Sequence, residues 1–122
     1  MTKYVHDEVL DAALDEIRDN ATLLVVCSQY PTTRTEAVST YALADVIVDA
    51  SDFTKADGDT SGRKLTVAAQ DDVPIDTGGT ATHVAICDPT RLLYVNEITS
   101  QQLNAGGTTD LPEWDIELRD PS

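Results

Sequence analysis

The stretch TATHVAICDPTRLLYVNEIT, residues 80–99, decides the fold. Two apolar runs of strand length flank Asp88-Pro89-Thr90, a connection too short for anything but a tight reversal. The pattern predicts an antiparallel β-hairpin. Working outward, TLLVVCS (residues 22–28) is a continuous apolar run, as expected of a central strand covered on both faces. ADVIVDA (44–50) and KLTVAAQ (64–70) predict two more strands, the latter with Leu65, Val67 and Ala69 on one face. In LPEWDIEL (111–118), Trp114, Ile116 and Leu118 alternate with charged residues, as in a half-buried strand.

The segments between these strands predict irregular structure. Residues 29–42 are Thr-rich with an early Pro31, which predicts a long irregular excursion. Residues 51–63 form an Asp- and Gly-rich connection, and VPIDTGG and Gly106-Gly107 are turn-like. The one helical pattern lies near the start, over about residues 4–19, where Val5, Val9, Ala12, Ala13 and Ile17 recur at helical spacing. Asp7 and Glu8 suit the positive end of that helix, and its acidic face is expected to be solvated. Asp19-Asn20 is the expected stop, with Asn20 of the Asn20-Ala21-Thr22 sequon acting as a left-handed cap. The expected fold is a single α+β domain over residues 1–122. It has one N-terminal helix, then a β-rich body over about 22–119 forming a mainly antiparallel sheet or small β-sandwich.

A chain of 122 residues can bury a core without covalent staples. With aromatic residues at 5%, that core must be built from Val, Leu, Ile and Ala. The formal charge of −14 argues against nucleic acid, whose phosphates are held by clustered Lys and Arg. It suits a cationic partner, or a high-salt setting that screens self-repulsion. No apolar run approaches the roughly 20 residues that span a bilayer, so no membrane role is expected. MTKYVHDEVL lacks the basic and apolar regions of a secretory leader, and synthesis in the cytoplasm is expected. Cys27 and Cys87 lie in apolar runs and are expected as buried free thiols.

ADGDTSGRK, residues 56–64, is the stretch most suggestive of chemistry. Asp57, Asp59 and Ser61 occupy alternate positions before Gly62, as in the first half of a calcium loop. The bidentate glutamate due at position 12 is Ala68, so these three residues are only weak metal candidates and act as turn formers. Gly58 and Gly62 enclose too few residues for a phosphate-binding loop. His6 and His83 have no close-spaced partner for a transition metal, and a cluster of His83 with Cys27 and Cys87 is too spread along one strand. No nucleophile motif occurs, so neither an enzyme nor a cofactor is expected.

Longer phrases carry more information. YVHDEVLDAAL, VCSQYPTT through TYALADV, SGRKLTVAAQ, GTATHVAICD, LLYV and PEWDIEL together resemble a family of small structural proteins of tailed viruses of prokaryotes. The resemblance covers nearly the whole chain and carries no active site. It implies a non-enzymatic virion protein, a head decoration protein docked on the major capsid protein or otherwise a neck or tail piece. It also implies self-association. A host-surface or ligand-binding module, with or without a bound ion, that uses residues 52–64 is the alternative. Tyr30, Pro31 and Tyr41 in the excursion are the expected contact residues, because extended segments can add to a neighbour's sheet edge.

Overall fold

A computed structural model describes residues 3–120. Helix α1 (Asp7–Asn20) is followed by strands β1 (Leu23–Cys27), β2 (Ala42–Ile47), β3 (Phe53–Asp57), β4 (Arg63–Val67) and β5 (Gln70–Pro74). Strands β6 (Gly79–Cys87), β7 (Leu92–Leu103), β8 (Thr108–Leu111) and β9 (Trp114–Leu118) complete the chain. All strand pairs are antiparallel and fall into three sheets, ordered β2-β1-β6-β7, β3-β4-β9 and β5-β8. The protein is therefore of the α+β class, one N-terminal helix before a mainly antiparallel body. No helix among the described residues is long and apolar enough to cross a membrane.

Each residue of β1 except the first is buried, because the four-stranded sheet is covered on both faces. Leu24 and Val26 point into the main core with Val84 and Ile86 of β6. Across that core lie Phe53, Leu65, Val67 and Ile116 of the three-stranded sheet, Val73 and Leu111 of the small sheet, and Leu14 of the helix. Val25, Cys27, Ala85 and Cys87 point the other way and form a second cluster with Ala37. The predicted hairpin is present, with Val84 opposite Asn96 and Ile86 opposite Tyr94. Its turn is tied by Asp88, whose carboxylate accepts from the Thr90 amide (2.8 Å), the Arg91 amide and the Arg91 Nε (2.6 Å).

The helix differs from its sequence expectation in both extent and face. It begins at Asp7, and His6 is its cap, accepting from the Glu8 amide through Nδ1 at 3.0 Å. It buries Leu14, with Leu10 and Ile17 half-buried, while Val9, Ala12 and Ala13 are exposed. The acidic residues explain this rotation, since Asp11 and Asp15 flank the buried stripe and reach cations on the sheet beneath. Arg63 Nε meets Asp11 Oδ1 at 2.8 Å and Lys55 Nζ meets Asp15 Oδ1 at 2.7 Å. Arg91 Nη2 joins Glu16 Oε1 at 2.9 Å. This acidic face is thus internally paired rather than merely solvated. The helix ends as Ala21 turns extended (φ −61°, ψ 131°), not in a left-handed cap, and the Asn20 side chain donates through Nδ2 to the Glu16 carbonyl at 2.9 Å.

Three strands lie where irregular structure is expected. Phe53–Asp57 pairs with β4, Gln70–Pro74 pairs with β8, and Thr108–Leu111 is that second partner. β5 holds a bulge at Asp72, whose φ of 56° is a left-handed conformation. Conversely, β4 ends at Val67, leaving Ala69 exposed outside the strand. The excursion between β1 and β2 contains a wide helical turn at Glu36–Thr40, closed by the Tyr41 amide donating to the Glu36 carbonyl at 2.8 Å.

Candidate functional site

The stretch ADGDTSGRK is the tip of the β3–β4 hairpin. Gly62 has φ +72°, and a Cβ there would strike the Leu118 carbonyl; one at Gly58 would strike the Ser61 carbonyl. The loop is thus built around two glycines that let backbone pass close to backbone. Asp57 Oδ1 accepts from Arg63 Nη1 at 2.7 Å and Asp59 Oδ1 from Lys64 Nζ at 2.8 Å. Ser61 Oγ accepts from the Asp120 amide at 3.2 Å. Each candidate ligand is turned to a different partner, and the two carboxylates are neutralised by adjacent cations. Among the described residues, no group of three or more His, Cys, Asp or Glu side chains is placed to hold a metal ion.

On the outer face of the four-stranded sheet, Cys27 stands opposite His83 and Cys87 opposite Leu23. Both thiols are free and buried. Burial, with the neighbouring Cys87 second, pushes the Cys27 thiol up to about 12. Burial also raises Cys87, against the pull of Arg34. Neither is a thiolate near neutral pH, so both behave as small apolar core residues. His83 Nδ1 shares a hydrogen bond with Thr82 Oγ1 at 2.8 Å, and its ring lies tilted beside Tyr30 with centroids 5.6 Å apart.

The excursion covers that face. Arg34 Nε donates to the Asp88 carbonyl at 2.8 Å, and the Ser28 amide donates to the Tyr41 carbonyl at 3.0 Å. Glu36 accepts from both the amide and the hydroxyl of Thr32, which holds its carboxyl below the ordinary range. Of the three expected contact residues, Pro31 is fully buried and Tyr41 packs against the second cluster. Tyr30 alone is open, 61% exposed.

A groove of about 300 Å³ lies beside β7, between the four-stranded sheet and the segment from β8 to β9. Val84, Asn96 and Ile98 line its sheet side, and Leu111, Pro112 and Trp114 its opposite wall. Trp114 is held by stacking on Tyr94 at 5.9 Å. The signal for this groove is absent from any single segment, because its walls come from β6, β7 and the β8–β9 connection. Apolar walls with a few amide and carboxylate groups suit an apolar side chain more than a charged metabolite. A comparison of the chain with protein-family models, curated proteins and solved structures finds no match.

Proposed function

We propose that the chain is a non-enzymatic structural protein of a tailed prokaryotic virus, a decoration protein that docks on the capsid lattice. Its partner is then the major capsid protein or another virion protein. The observation that carries this reading is where the family-like phrases fall in the fold. YVHDEVLDAAL enters and forms much of α1, SGRKLTVAAQ contains β4, GTATHVAICD contains β6, LLYV opens β7 and PEWDIEL contains β9. These elements enclose the main core, and VCSQYPTT through TYALADV spans the end of β1, the excursion over the second cluster and most of β2. What resembles the viral proteins is therefore a scaffold, which is what a lattice-docking domain requires. The carboxylates of ADGDTSGRK, occupied by Arg63 and Lys64, favour this role over ion-dependent ligand binding.

Mass spectrometry of purified particles tests the proposal. A decoration protein is expected in copies that scale with the capsid lattice. A copy number matching a connector or tail ring would move it to the neck or tail, and absence from particles would contradict a virion role altogether.

A further inference from the structure

We propose that the open edge of β7, with the groove beside it, takes an extended segment of a partner protein. That segment carries apolar side chains at alternate positions and Lys or Arg at its flanks. The inference rests on the docking role above only in giving that role a surface.

Edge strands expose unpaired N–H and C=O groups, and proteins commonly blunt them with Lys, Pro, shortness or a covering loop. The other edge of the four-stranded sheet is covered in this way. At β2 the amides of Asp76 and Thr77 both donate to the Leu43 carbonyl, and Ala44 bridges Ile75. β7 differs. It is 12 residues long, contains neither Lys nor Pro, and pairs only with β6 among the described residues. Register shifts near Cys87 and Ala81 bracket a regular run from Tyr94 to Glu97. That run is the stretch on which an added strand can continue the ladder.

The groove lies where the side chains of such a strand would fall. Asn96 and Ile98 line it from β7, and Pro112 and Trp114 face them. Because side chains of a strand alternate, every second residue of the added segment faces this groove and the others extend the outer face beside Val95. The charge selects the occupant. No Lys or Arg occurs between Arg91 and Arg119, whereas Glu97, Asp110 and Glu113 are all exposed in the segments that form the edge and the wall. A second copy of this chain would bring a charge of −14 to the same place, so a basic segment is the complementary occupant.

The test uses the full chain with two labelled synthetic peptides, one a Lys-Val repeat and the other a Glu-Val repeat. Binding is read by fluorescence anisotropy at low salt and the site by amide hydrogen exchange. The basic peptide should bind and slow exchange along residues 94–97, and the acidic one should not bind. The double variant Glu97→Lys with Asp110→Lys should weaken binding by about tenfold or more. If that variant fails to fold, Pro112→Lys on the exposed groove wall, which removes an apolar contact and repels the basic peptide, should weaken it instead. Equal binding of both peptides, no binding, or protection confined to another element would overturn the proposal. Concentration-dependent self-association that itself protects β7 would also overturn it, by making a second copy the occupant. Failure here with the protein present on particles would leave the virion role intact; success with the protein absent would leave only the surface.

Discussion

The helix with its three-stranded sheet and the remaining two sheets handle the same acidity in opposite ways. Arg18, Lys55, Arg63 and Lys64 all lie in α1, β3 and β4, where each meets a carboxylate within 3.4 Å. No strand of the four-stranded or two-stranded sheet contains a cation. Among the described residues the carboxylates within those strands meet no cation, and Arg91, in the β6–β7 turn, is the cation that serves Asp88. Asp110 accepts from the Asp72 amide at 2.9 Å, and Asp45 is held above the ordinary carboxylate range by burial first and by Asp76 second. In one region charge joins elements together; in the other it opposes their approach and favours screening by salt or a basic partner.

The largest effect expected from breaking this contrast comes from packing. Leu14 is fully buried where α1 meets the core, and Leu14→Ala should lower stability by about 2–5 kcal/mol in chemical denaturation. Arg63→Ala removes the link between Asp11 and Asp57 and should destabilise less than Leu14→Ala, by an amount that shrinks as salt rises. Equal losses would mean that charge rather than apolar contact holds the helix.

Smaller effects are expected at two carboxylates outside the ion-paired region, of opposite sign at Asp45 and of the same sign at Glu36. Asp45→Asn should raise stability at neutral pH and low salt by less than about 1 kcal/mol. The folded-state pKa of Asp45 is raised, so its ionised form disfavours folding above that pKa and the cost is relieved as pH falls. The advantage of Asp45→Asn should therefore fade in acid. Glu36→Gln should do the reverse. The folded-state pKa of Glu36 is lowered by the Thr32 amide and hydroxyl, so its contribution is present above the ordinary glutamate pKa and lost as pH falls through the depressed value. Thermal melts across acidic to neutral pH distinguish the two.

The same division explains what could be read from the sequence. β1, the β6–β7 hairpin and β9 were legible because their apolar patterns reflect burial on two faces or one. β3, β5 and β8 were not. Phe53 is the one fully buried residue of β3 and Val73 the one of β5, so their pairing comes from partner strands rather than from an apolar pattern of their own. TTDL in β8 buries Thr109 and Leu111, but four residues beside a glycine turn carry too short an alternation. Helical spacing predicts a face through Val9, Ala12 and Ala13 that the structure leaves exposed, because Leu14 with its flanking carboxylates decides the docking. In the candidate sites, sequence placed Asp57, Asp59 and Ser61 in a turn but could not show Arg63 and Lys64 folding back on the carboxylates. Pro31 is expected as a contact because an extended segment can add to a neighbour's sheet edge, yet here the excursion covers its own sheet and Pro31 is buried in it.

Amide hydrogen exchange at low salt and at about 1 M salt, resolved by element, tests the two-region account most directly, because that salt reduces the screening length to a few ångströms. Slower exchange in β2, β5 and β8 at high salt, with α1, β3 and β4 unchanged or faster, is the predicted result. A uniform change across both regions, or slower exchange confined to the ion-paired helix and its sheet, would contradict it.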